Sequence, residues 1–160
     1  MKLTKKFALL LVCMLSICVL VAGCGKEQSE DQSNKGFTDF SHIEEEFLTT
    51  INELNWPDNV SLPDKLEGEN EGASFQKGYG NTLASNLWEH MWMQEWLDSY
   101  NVDSDRAERA LDELEKAFDM PYMGEDRCDD ATRRYLRENI DKAKLGDPSG
   151  FYECIKVNYK

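Results

Sequence analysis

Histidine is nearly absent from this 160-residue chain: His42 and His90 are the two examples, and no His-x-x-x-His or His-Glu-x-x-His spacing occurs. Zinc chemistry is left without its usual ligand pattern. Base is scarce too, with 18 Lys and Arg against 31 Asp and Glu and a formal net charge of −13. A protein that grips a phosphate backbone needs a basic face, so nucleic acid is excluded as a partner. Also missing are a phosphate loop, a Gly-x-Ser-x-Gly elbow, a Cys-x-x-Cys pair, an internal repeat and a heptad array. No cofactor and no metal are therefore expected, and no catalytic constellation is apparent.

What the chain does have begins at its start. Lys2, Lys5 and Lys6 precede a nearly unbroken apolar run over residues 7–21, which exits through Ala22 and Gly23. At about 15 residues the run is short for a spanning helix, which needs roughly 20. Charge, length and small-residue exit together read as a secretory signal peptide. The last four residues, Val21-Ala22-Gly23-Cys24, are an aliphatic residue, two small ones and a cysteine. They resemble the lipobox of bacterial lipoproteins. The resemblance covers the leader alone and implies lipid transfer to the Cys24 thiol, cleavage before Cys24, and a mature protein held on the extracytoplasmic face of a membrane. A diacylglyceryl anchor suits that role, because two acyl chains hold a protein stably where one holds it marginally.

The implied plan is a leader over 1–23, a lipidated Cys24 with a tether over 24–36, and a single helical domain over 37–160. Residues 25–36 carry no apolar side chain and cannot join a core. A flexible chain of that length reaches about 20 Å. Losing the leader, which has three lysines and no acid, takes the formal charge from −13 to −16. Such a surface keeps a small domain soluble, or steers in a cationic protein or peptide partner. Of the five cysteines, Cys13 and Cys18 leave with the leader and Cys24 carries lipid, so Cys128 and Cys154 remain. Outside the cell, two cysteines suggest one disulfide, the alternative being two buried thiols.

Apolar periodicity predicts an all-α bundle of about four helices with a short C-terminal helix or strap. The first helix is expected from a capping box, Ser41-His42-Ile43-Glu44, followed by Phe40, Ile43, Phe47, Ile51 and Leu54 on one stripe and a stop at Trp56-Pro57. Residues 58–72 read as a loop. A third helix begins at Asp103 or Ser104, with Asp105–Arg109 and Asp112–Lys116 as expected surface pairs. Its Asp-x-Asp start lacks the glycine and glutamate of a calcium loop. The fourth, over 126–144, is expected to bury Cys128, Ala131, Tyr135, Leu136, Ile140 and Ala143, and Arg133, Arg134 and Arg137 to pair within the molecule.

Residues 83–100 form the most informative stretch of the mature chain. Leu83, Leu87, Met91, Ala84, Trp88, Trp92, Trp96 and Tyr100 spread around more than half of a helix, wider than an ordinary surface stripe. One reading is a central helix contacted from several sides. The other is an aromatic groove of Trp88, Trp92, Trp96 and Tyr100, the residue types that commonly anchor ligands and partners. The function expected is a non-enzymatic envelope lipoprotein that binds a protein, peptide or envelope component. Two alternatives stand beside it: an envelope-acting enzyme using Glu89 or Glu95 as general acid or base, and a structural or stress protein without a specific ligand.

Overall fold

The computed structural model describes residues 36–159. The expected leader, the lipidated Cys24 and all but the end of the tether lie outside the described residues. Within them the protein is an all-α bundle of five α-helices with one minimal sheet: α1 (Phe40–Glu53), α2 (Tyr79–Ser99), α3 (Ser104–Glu115), α4 (Asp130–Lys144) and α5 (Ser149–Asn158). Two 3-10 turns, Lys116–Asp119 and Pro121–Met123, lead from α3 towards α4. The C-terminal segment is a helix rather than an extended strap. No helix among the described residues is long and apolar enough to cross a membrane.

Two short strands, β1 (Phe37–Thr38) and β2 (Phe75–Gln76), pair antiparallel with Phe37 opposite Gln76, and so bring the starts of α1 and α2 together. The N-cap of α1 is Asp39, whose carboxylate accepts from the His42 backbone N–H at 3.1 Å, not the expected Ser41. Ser41 donates its hydroxyl to Asp39, and Glu44 is drawn away to accept from the Leu66 backbone N–H. Residues 58–72 form the expected loop, from which Leu66 is buried beside Ile43, Phe47, Ile51 and Ala84.

The N-terminus of α2 has no cap of its own. Gly78, at φ +84°, starts it in the left-handed region open to glycine, and Glu46 of α1 accepts from the backbone N–H groups of Gly78 and Gly80. A carboxylate from one helix thus caps the next. The two helices touch at Gly80, where an added Cβ would lie 1.9 Å from the Ile43 carbonyl oxygen.

From there α2 is buried around most of its circumference, through Ala84, Ser85, Trp88, Glu89, Trp92, Met93, Trp96, Leu97 and Ser99. It is a central helix. On one side it packs against α1; its C-terminal half joins Ala107, Ala110 and Leu114 of α3, Leu136 and Ile140 of α4, and Phe151 of α5 in the larger core cluster. Arg106 of α3 ties back to Glu95 of α2 through two bonds, at 2.8 and 2.9 Å.

Asp103 caps α3, accepting from the Arg106 backbone N–H. The expected pairs along that helix are replaced: Arg109 reaches Asp58 at 3.3 Å and Lys116 reaches Glu113 at 2.6 Å. Helix α4 begins at Asp130 with Asp129 as cap, later than expected, because Cys128 belongs to the preceding turn. Its buried face is Leu136, Asn139, Ile140 and Ala143, while Ala131 and Tyr135 are exposed. The arginines serve within the molecule: Arg133 donates to the carbonyls of Met123 and Cys128, Arg134 faces Glu138, and Arg137 lies 3.9 Å from the Phe118 ring centroid.

Candidate functional site

The tryptophans of α2 are interior. Trp88, Trp92 and Trp96 are 0, 3 and 2 % exposed, which leaves no indole surface for a partner. Their polar edges are used as well: Trp88 and Trp92 both donate their indole N–H to the Asn55 carbonyl, at 2.8 and 3.1 Å. A carbonyl has two lone pairs, so one backbone oxygen in the exit of α1 satisfies both rings. Trp96 is enclosed by Tyr100, stacked at 4.7 Å, and by Phe151, edge-on at 5.3 Å. The aromatic groove expected from Trp88, Trp92, Trp96 and Tyr100 is therefore core, with half-buried Tyr100 as its outer edge.

A pocket of about 500 Å³ opens elsewhere on α2. Glu89 stands on its wall with Thr82 and Asn86, two turns and one turn towards the N-terminus on the same face. Opposite them the Pro121–Met123 turn supplies Tyr122 and Met123, the turn before α4 supplies Cys128, and α5 supplies Cys154 and Asn158. Pro121 starts the 3-10 turn that presents Tyr122. Arg133 holds the following turn in place through its bonds to the carbonyls of Met123 and Cys128. Tyr159, just beyond α5, donates its hydroxyl to the Asn86 carbonyl at 2.8 Å and stacks on His90 at 4.3 Å.

Glu89 is the distinctive group. It is 7 % exposed, and its carboxyl accepts a hydrogen bond from the Tyr122 hydroxyl. Burial, only partly offset by that bond, pushes its pKa from the usual 4.5 up to about 7. No lysine, arginine or histidine forms an ion pair with it among the described residues. A charge in that position lacks the partner that buried charges ordinarily have. Burial also raises the Tyr122 and Tyr159 phenols, and Glu89 adds to both shifts. Glu95, the other carboxylate singled out in the sequence, is committed to Arg106 and plays a structural part.

Cys128 and Cys154 both line this pocket, yet both are free thiols, so the expected disulfide is not formed in this structure. Each sulfur has another neighbour: Cys128 Sγ lies 3.4 Å from Met123 Sδ, and Cys154 Sγ accepts from Asn158 at 3.5 Å. Burial raises the pKa of both thiols, which keeps them protonated and unreactive at neutral pH. Among the described residues no group of three or more His, Cys, Asp or Glu side chains is placed to hold a metal ion.

The chain matches no protein-family model, and neither a curated protein nor a solved structure matches it. Function has to be argued from the pocket itself. Sequence reasoning singled out Glu89 for its place beside the tryptophans, but Tyr122, Asn86 and Tyr159 carried no comparable mark. Asn86 lies one turn before Glu89 on the same helix, but Tyr122 and Tyr159 lie 33 and 70 residues after it, and only the packing of separate segments brings those two to the pocket.

Proposed function

We propose that this is an extracytoplasmic lipoprotein, anchored through Cys24, whose helical domain holds a ligand in the Glu89 pocket. The observation that carries the binding part is a nearly buried carboxyl with a single partner among the described residues, set in the wall of a cavity of about 500 Å³. Mostly preformed concavities with a few convergent polar groups are the usual form of a ligand site. The acidic surface supports a cationic partner over an anionic one. The interior position of the tryptophans moves the proposed contact from their helix face to this pocket.

A second reading is favoured by one observation, the rise of the Glu89 pKa to about 7. A carboxyl poised there can give or take a proton at neutral pH, as a general acid or base of an envelope-acting enzyme does. Tyr122 would then position the carboxyl rather than supply a second acid.

The anchor and the pocket are tested separately. The wild-type chain is expected to partition into the detergent phase in a phase-separation experiment, and Cys24→Ser to lose both processing before residue 24 and that partitioning. An unmodified Cys24 at the mature N-terminus, seen by mass spectrometry, would overturn the anchor. For the pocket, native mass spectrometry of the detergent-purified chain is expected to show a retained small molecule or its recapture from envelope extract. Thr132→Trp, which places an indole at the pocket edge, is expected to abolish it; retention by that folded variant would place the ligand elsewhere.

A further inference from the structure

We propose that the Glu89 pocket takes a small organic cation, an alkylammonium group whose charged head completes the Glu89–Tyr122 pair. This rests on the reading of that pocket as a binding site. Among the described residues the carboxyl has one hydrogen-bond partner and no basic one. An ammonium brings what is missing: a positive charge against a buried carboxylate, and three N–H donors. The Asn86 and Thr82 side chains on the same wall offer further oxygens. Tyr122, Tyr135 and Tyr159 line the pocket, and aromatic rings are the wall material to which cations are attracted. Met123 and Leu136 offer apolar surface to a short alkyl tail.

Among the described residues the only base on the pocket is Arg127, which is exposed. Its guanidinium occupies the space over Gly78, where an added Cβ would lie 1.8 Å from Nη1. No ion pair joins it to Glu89. An anionic ligand would meet the Glu89 charge directly. A neutral one would leave that charge as poorly compensated as before. The formal charge of −16 on the chain without its leader steers cations inward.

Titration at the pocket centres on Glu89. Facing it are Tyr122 from the 3-10 turn, Cys128 from the turn before α4, and Cys154 and Tyr159 from the C-terminal segment, all shifted upward by burial and neutral through neutral pH. His90, the next residue on α2, is shifted downward by burial and so favours its neutral form. Asp129 lies on the lining as well, committed to the α4 cap through Thr132. An alkylammonium should therefore bind best where Glu89 is ionised.

The test titrates the full chain in non-ionic detergent with n-butylammonium and with n-butanol, a neutral probe of similar size, following the amide resonances of Thr82, Asn86 and Cys128. Butylammonium stays protonated throughout, so its affinity is expected to rise about thirtyfold from about pH 5.5 to about pH 8.5, as Glu89 ionises. Butanol is expected to show no such rise, and Glu89→Gln to remove the rise for butylammonium. The wild-type pH comparison stands by itself should that variant fail to fold. Equal affinities for the two probes at both pH values would overturn the cation while leaving the pocket a binding site. No perturbation of the three resonances by either probe would overturn the binding reading along with it.

Discussion

Trp88→Ala is expected to destabilise the full chain by about 3 to 5 kcal/mol, the cost of removing a fully buried large aromatic side chain. Trp88 is 0 % exposed, belongs to the larger core cluster, and reaches the exit of α1 through the Asn55 carbonyl. The substitution leaves a cavity between elements that come from distant parts of the chain, and it removes an indole N–H from the Asn55 carbonyl. That carbonyl keeps Trp92 as a donor, so the loss is mainly one of packing rather than of an orphaned acceptor. A domain of ordinary stability has about 5 to 15 kcal/mol in all, so the loss is a large share of the total. Urea unfolding followed by far-ultraviolet circular dichroism measures this without relying on the indole removed. Tyr152→Ala, at a residue 56 % exposed on α5, serves as control and should change stability by no more than about 0.5 kcal/mol. A loss below about 1 kcal/mol at Trp88 would mean that the indole is not packed, and the aromatic groove would return as the candidate site.

The contrast between those two positions shows what the sequence carried and what it did not. Helical spacing placed the first four helices, because each has a stripe or a wide arc of apolar side chains, and left the C-terminal segment open between a short helix and a strap, since its apolar residues fit both periods. Whether the tryptophan arc of α2 was covered was not legible, since it depends on the exit of α1, and Asn55 has no side-chain feature that marks its carbonyl as an acceptor for two indoles. The start of α1 was placed at Ser41 because Ser-x-x-Glu is a strong local pattern, but Asp39 stands two residues earlier and its carboxylate takes the helix N-terminus. Glu44 and Glu46, free of that role, cap other segments through contacts 22 to 34 residues away in sequence. Such long-range capping leaves no periodic trace.

The pocket was legible only in its parts. Cys128 and Cys154 were expected to meet, and they do converge on one cavity, though as separate thiols. Glu89 stood out as an acid beside tryptophans, but its burial follows from neighbours contributed by the 3-10 turn and the C-terminal segment.

Stability is expected to fall by about 3 kcal/mol between about pH 4.5 and pH 7 on account of Glu89 alone. Its folded pKa, about 7, lies above its ordinary value of 4.5, so below 4.5 the proton is held in both states and the protonated, buried carboxyl costs little. As pH rises, the unfolded chain releases the proton first, and each unit costs the folded state about 1.4 kcal/mol until Glu89 ionises in place. Above about pH 7 the loss levels off. His90 runs the opposite way: its folded pKa lies below 6.5, so its contribution is present above that value and is lost as pH falls. The depressed carboxyls of Asp39, Asp129 and Asp147, each held down by hydrogen bonds, likewise lose their contribution on acidification, below the ordinary value of 3.8. The thiols of Cys128 and Cys154 titrate above 9.0, outside the window. The Glu89 contribution is therefore isolated by difference, comparing the wild type with Glu89→Gln, whose amide is neutral at every pH and can still accept from Tyr122. The variant is expected to match the wild type near pH 4.5 and to exceed it by about 3 kcal/mol near pH 8, with the gap levelling off where Glu89 titrates in the folded chain. Parallel profiles for the two chains would place the Glu89 pKa near its ordinary value, and the carboxyl would then be hydrated rather than buried behind Tyr122.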